Sequence, residues 1–261
     1  MARELLVACG AALIAVVIFL VGDRLRPKSW RRVSDESSGT LPLDLAKTFF
    51  TAVVAFVFVI CWQQHQSAHD HTVTESKGLL DAYRATEVMP AAERQRVQAL
   101  LRDYVGQVID SEWPLMRDQG RLSDTADGTL RTLRDTVVSL RSPDSVVTDA
   151  RSRALTGLDQ VAHARHDRAL DQDRDIPVFL YVAVCFGAVL VLLNPVLSGI
   201  VFTRRSAVMT ALLGIVVGSA LLALHEMERP YASVVGVSDD AFVYARSQCR
   251  DLPGTLGSST E

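Results

Sequence analysis

The sequence lacks the devices of most enzyme classes. It has no glycine-rich phosphate loop, no G-x-S-x-G elbow and no H-E-x-x-H pair. Nucleotide, acyl-transfer and zinc-protease chemistries therefore have no signature in it. Its four cysteines, Cys9, Cys61, Cys185 and Cys249, stand far apart; no zinc-ligand spacing results, and no metal or cofactor is expected from them. Neither sign of charge dominates, with 27 Lys and Arg against 30 Asp and Glu, which argues against the basic surface of a nucleic-acid binder.

Charge is instead missing by region. Residues 5–22, 48–62, 176–203 and 206–224 contain no Asp, Glu, Lys or Arg. As a helix the first run spans about 27 Å, close to the ~30 Å hydrocarbon core of a bilayer. The second reaches that length when Leu43–Lys47 form its first turn. The first run lacks an A-x-A cleavage pattern and reads as a mature helix rather than a signal peptide. The expected fold class is an all-α membrane protein: four transmembrane helices with a helical bundle inserted between the second and third. Residues 1–62 hold helices 1 and 2 with a basic loop at 23–42, residues 63–175 the bundle, 176–227 helices 3 and 4, and 228–261 a C-terminal tail.

Basic residues in short loops set orientation. Arg24, Arg26, Lys28, Arg31 and Arg32 lie between helices 1 and 2, and Arg204 and Arg205 between helices 3 and 4. Both loops are expected in the cytoplasm of an inner-membrane protein, which leaves the central bundle and both termini outside. At the far end of helix 4 the apolar run meets His225, Glu226, Glu228, Arg229 and Pro230. Counted from Ser206, Glu226 stands about 30 Å along the helix, at the membrane edge, where ionisation costs little.

Residues 63–175 carry 15 basic and 19 acidic side chains, so this segment belongs in water. Val97, Leu101, Tyr104 and Val108 recur at helical spacing, as do Leu130, Leu133, Val137 and Leu140, and again Val147, Ala154, Leu158 and Val161. Such stripes are the buried faces of amphipathic helices. Helices are expected over 66–88, 91–118, 124–141 and 144–174. Pro90 opens the second of them at its first position, Gly120 ends it, and Ser142-Pro143-Asp144 separates the last two.

Within the membrane runs, Ala207, Ala211, Gly214 and Gly218 form a small-residue ridge for close helix packing, and Ala8, Ala12 and Ala15 a weaker one. Asn194-Pro195 interrupts the third run and predicts a kink or break. In the second, Phe50, Val54 and Phe58 stand four apart. Repeated by symmetry in an oligomer, such side chains form a hydrophobic constriction that gates ions by dewetting; phenylalanines facing lipid are the plain alternative. His65 and His69 lie four apart on one helix, and His163 and His166 three apart on another. A metal bridging the two helices is geometrically open beside ordinary solvated histidines.

Two stretches resemble a known family. "AYRATEVMPAAERQRVQALLRDYVGQVIDSEWPLM" (82–116) is similar to the Tyr…Pro…Arg…Tyr-Val…Glu-Trp-Pro pattern of bacterial bestrophin-like membrane proteins. "ERPYASVVGVSDDAF" (228–242) resembles that family's Asp-Arg-Pro-Phe-Ser-Gly stretch, with Glu228 for Asp, Tyr231 for Phe and Ala232-Ser233 for Ser-Gly. "RALDQDRDIP", leading into helix 3, fits as well. The motif residues are Glu112, Trp113, Pro114, Glu228, Arg229, Pro230 and Tyr231. The resemblance implies kinship with bestrophins, oligomeric anion channels with an aromatic and aliphatic neck on the second helix, to which Phe50, Val54 and Phe58 would correspond. Bestrophins keep their termini and insert in the cytoplasm, whereas the arginines here place them outside. The expected function is an oligomeric anion channel in lipid, with no catalytic residues. The rival is a non-conducting sensor or scaffold whose bundle binds a partner.

Overall fold

A computed structural model describes residues 2–25, 41–172, 177–197, 203–227, 231 and 236–251. The basic loop residues Arg26, Lys28, Arg31 and Arg32, the motif residues Glu228, Arg229 and Pro230, and Ala232-Ser233 lie outside them. The described residues are helical with no strand: α1 (Ala2–Leu25), α2 (Leu41–Ala85), α3 (Ala91–Gln107), α4 (Trp113–Gln119), α5 (Asp124–Ser139), α6 (Ser145–Gln172), α7 (Val178–Leu197), α8 (Arg204–Met227) and α9 (Asp240–Asp251). The chain divides into two compact units, Met1–Gln63 with Asp175–Glu228, and Gln64–Arg174 with Arg229–Glu261.

In the first unit α1 packs along α8 and α7. Gly214 and Gly218 allow this: a Cβ on Gly214 would fall 2.6 Å from the Ala15 Cβ, and one on Gly218 2.4 Å from the Ala11 Cβ. Ala207 and Ala211 are half-buried on the same helix. A second glycine contact seats Gly22 of α1 against Val196 of α7. The α2 segment of this unit joins α7 and α8 through Val57, Cys61, Val184 and Leu224. Leu13, Val17, Phe56, Phe186 and Val216 point outward, an apolar surface suited to lipid rather than water. Among the described residues three helices, α2, α7 and α8, are long and apolar enough to cross a membrane. The fourth expected from the sequence, α1, is itself 24 residues long. Pro195 lies inside α7, which ends two residues later at Leu197.

The second unit is a bundle whose core draws Leu79 and Tyr83 from α2, Leu101 and Tyr104 from α3, Leu133 from α5, and Leu158 and Val161 from α6. Gly78 and Gly157 bring α2 and α6 into backbone contact; a Cβ on either would fall 2.7 Å from the other's carbonyl oxygen. Gly120, at φ 64°, closes α4 in the left-handed region that glycine adopts without a Cβ clash. Asp144 caps α6 by accepting the Val146 N–H at 2.9 Å. Pro90 stands one place earlier than expected, as the cap before Ala91, because its φ of −54° leads into α3 while its own ψ is extended.

Two features depart from the sequence expectation. The helix expected over 91–118 is not uniform: Val108–Glu112 form a π-helical turn in which the Trp113 N–H reaches the Val108 carbonyl. Pro114 has no N–H to give, and its ring would crowd the Asp110 carbonyl in a regular turn; the wider turn relieves both. The tail also contains a helix. Phe242, Ala245 and Cys249 of α9, spaced three and four, are buried in the bundle core, and the Tyr83 hydroxyl donates to the Cys249 carbonyl at 3.1 Å.

Candidate functional site: an apolar helix face and a buried ion cluster

The structure places the three expected neck residues on two different surfaces of α2. Phe50 and Val54 pack against the cluster shared with α7 and α8. Phe50 covers Gly187, where a Cβ would fall 2.1 Å from the phenylalanine ring. Phe58 is 44% exposed. The cause is helical phase: eight residues carry a side chain about 80° past whole turns. Thr48 and Thr51, toward the start of α2, satisfy their hydroxyls on the Asp44 and Lys47 carbonyls.

The larger chemical feature lies in the second unit. The stripe on α6 continues past Leu158 and Val161 to Arg165, Arg168 and Asp171, all buried. The stripe on α2 runs Ala68, Thr72, Glu75 and Leu79, also buried. Opposite charges therefore meet in the core. Arg168 donates from Nε to Glu75 Oε2 at 2.6 Å and from Nη2 to Glu112 Oε1 at 2.8 Å. Arg165 donates to Glu112 Oε1 at 2.6 Å and to the Ser123 carbonyl at 2.9 Å. Tyr104 donates its hydroxyl to Glu75 Oε1 at 2.6 Å, and Ser123 its N–H to Glu112 Oε2 at 3.0 Å. Arg168 is completely buried, with its guanidinium 5.6 Å from the Trp113 ring centre and 5.3 Å from that of Phe242. Paired charges and cation–π contacts offset the cost of removing this guanidinium from water.

The electrostatics follow from this geometry. Burial raises the Glu112 carboxyl, but Arg168, Arg165 and the Ser123 amide outweigh it and hold Glu112 below the ordinary range. For Glu75 burial prevails over Arg168 and Tyr104 and leaves the carboxyl above its ordinary value. Burial opposes the charge on both guanidiniums, yet the surrounding acids raise their affinity for protons. The cluster brings two guanidiniums and two carboxyl groups together in the bundle core.

Of the motif residues, Glu112 is the acceptor shared by both arginines, and Trp113 is the ring beneath Arg168. The π-turn before Pro114 aims both inward. Tyr231 meets Trp113 edge-on at 5.9 Å and donates to the Ala68 carbonyl at 3.3 Å. Beside it, His71 Nδ1 and Asp171 Oδ2 are 2.7 Å apart. Sequence reading gave Glu75, Arg165, Arg168 and Asp171 no role in a site, although Arg168 and Asp171 lie in the RALDQDRDIP stretch that fits the family. Their signal is a charged residue at a stripe position, with opposite signs on two helices. Among the described residues no three His, Cys, Asp or Glu side chains group as a metal cage, so His65, His69, His163 and His166 do not meet at one such site.

Solved structures share this fold. A variant of a bacterial bestrophin homolog from Klebsiella pneumoniae superposes with a TM-score of 0.74 at 12% identity, over 94% of this chain and 99% of that one. Another structure of the Klebsiella pneumoniae homolog gives 0.72 at 12% identity, over 92% and 96%. A variant described as a membrane protein gives 0.72 at 11% identity, over 98% and 100%. No curated protein matches the chain. The family model of the Bestrophin-like domain matches residues 9–242, nearly the whole chain, and the protein belongs to that family.

Proposed function

We propose that the protein is a homo-oligomeric anion channel of the plasma (inner) membrane, with α1, α2, α7 and α8 as its four crossings. Family membership over residues 9–242 carries this reading. The apolar outer surface of α1, α2, α7 and α8 supports it. α2 lines the path with Phe58 as its constriction, while Phe50 and Val54 set the position of the helix by packing on α7 and α8. The buried ion cluster is a structural pin of the bundle, and the Glu-Trp-Pro motif exists to build it. Catalysis has no part in the account.

Orientation follows the arginines: the basic loops face the cytoplasm, and the bundle and both termini face outward. The conduction reading is tested by halide efflux from liposomes reconstituted with purified protein. Flux above that of empty vesicles is expected, and Phe58→Ala is expected to change its rate or selectivity more than Thr51→Ala does. Absence of flux across a range of pH and calcium concentration would instead favour a scaffold.

A further inference from the structure

In the apolar unit an open groove of about 330 Å³ runs between the end of α7 and the first three turns of α8. It is lined by Pro195 of α7 and by Arg205, Met209, Thr210 and Leu213 of α8. Arg205, Met209 and Leu213 recur at intervals of four, so the charge stands at one end and apolar side chains follow it for about 12 Å along the helix. Thr210 donates its hydroxyl to the Ser206 carbonyl at 2.9 Å, which keeps this wall apolar. Thr203 and Ser206 cap α8 reciprocally: the Thr203 hydroxyl accepts the Ser206 N–H at 3.1 Å, and the Ser206 hydroxyl accepts the Thr203 N–H at 2.8 Å. Those hydroxyls being engaged, Arg205 is the polar group that the groove offers. No acidic side chain lines it, and among the described residues none pairs with Arg205 or the adjoining Arg204, both of which are exposed.

A cation at the mouth of an apolar groove, on helices whose outer surface suits lipid, complements an amphipathic anion. We propose that the groove holds an anionic phospholipid, with its phosphate on Arg205 and part of one acyl chain along Met209 and Leu213. The volume lies near the lower end for ligand pockets, about 300–1,000 Å³, and takes a chain segment rather than a whole lipid. The apolar wall covers most of the roughly 15 Å of hydrocarbon in one leaflet. Arg204 and the positive end of the α8 dipole add to the attraction. A zwitterionic lipid offers the same chain without the net charge. The site rests on α7 and α8 crossing the membrane, as proposed above, and not on conduction. In that orientation this end of α8 meets the cytoplasmic side, where basic pockets between membrane helices take anionic headgroups.

The test uses full-length protein in detergent, incubated with mixed micelles of equal phosphatidylglycerol and phosphatidylcholine and weighed by native mass spectrometry. One phosphatidylglycerol retained per chain, in preference to phosphatidylcholine, is expected. Arg205→Gln is expected to lower that preference about fivefold, and an Arg204→Gln/Arg205→Gln double variant further. Both positions are exposed, so these variants do not threaten the fold. Leu213→Trp, which fills the groove, should reduce retention of either lipid. Arg141→Gln, at an exposed position of the bundle unit, is the control and should keep the preference. Equal retention of the two lipids by the wild type, or a preference that survives the double variant, overturns the assignment. Displacement of the lipid by millimolar inorganic phosphate would make this a free-phosphate site. A changed subunit number in Leu213→Trp with lipid still retained would make the groove an interface between copies, and either result also overturns it. A lipid preference beside a silent bilayer would defeat only the channel reading. Protein that stays dissolved without detergent would defeat the membrane reading itself, whereas loss of the preference alone defeats only this site.

Discussion

A single arginine decides how the bundle holds together. Arg168 is fully buried and shared by Glu75 and Glu112, so its removal takes the cation from Glu75 and leaves Glu112 to Arg165. Arg168→Met is expected to destabilise the bundle by about 3–5 kcal/mol, the usual cost of orphaning a buried charge. Chemical denaturation followed by circular dichroism would measure it. Adding Glu75→Leu should recover part of the loss, since replacing both members of a buried pair with apolar groups is often tolerated. The two acids also respond to pH with opposite signs. Glu112 is depressed in the folded state, so its contribution is complete above the ordinary carboxylate range and is lost as pH falls through its lowered value. Glu75 is raised; its contribution is complete below the ordinary range and is lost as pH climbs through its raised value. Glu112→Gln is therefore expected to flatten the loss of stability below about pH 4, and Glu75→Gln to flatten the loss above it. Identical acid profiles for wild type and Glu112→Gln would contradict this.

At the scale of elements, small residues fix which helices touch. Gly214 faces Ala15 and the Ala11 carbonyl oxygen with no room for a side chain. Gly214→Leu should separate α1 from α8, which crosslinking between cysteines introduced in those helices would reveal as lost reactivity. Gly157→Val should likewise damage the α2–α6 contact, where even a methyl carbon would meet the Gly78 carbonyl. Most of the helix layout was legible in sequence, because stripes such as Leu130, Leu133 and Val137 report burial directly and Gly120 and Asp144 mark ends with local chemistry. The π-turn was not legible: it arises from a contest between Pro114 and the pull of Glu112 toward two arginines on another helix, a tertiary effect. α9 was missed because its apolar face is only three residues wide. The ion cluster was half-visible, as Tyr104 stood on a recognised stripe while Glu75 and Arg168 looked like surface charges. Phe58 departs in phase from Phe50 and Val54, since spacing of four does not hold one helix face over two turns.

The whole molecule combines an apolar unit with a charged one, and each obeys its own solvent rule. Lipid-facing helices expose Phe56, Phe186 and Val216, while the bundle hides its apolar stripes and pairs its buried charges. Topology is testable at this scale: a cysteine placed at Arg26 should resist an impermeant thiol reagent in intact cells, and one placed at Ser142 should react. The opposite pattern would invert the orientation. Conduction is tested most directly by currents across a planar bilayer holding the purified oligomer under a tenfold potassium chloride gradient. The account predicts a reversal potential near the chloride equilibrium value, shifted or abolished by Phe58→Ala. A silent bilayer, or reversal near the potassium value, would contradict it.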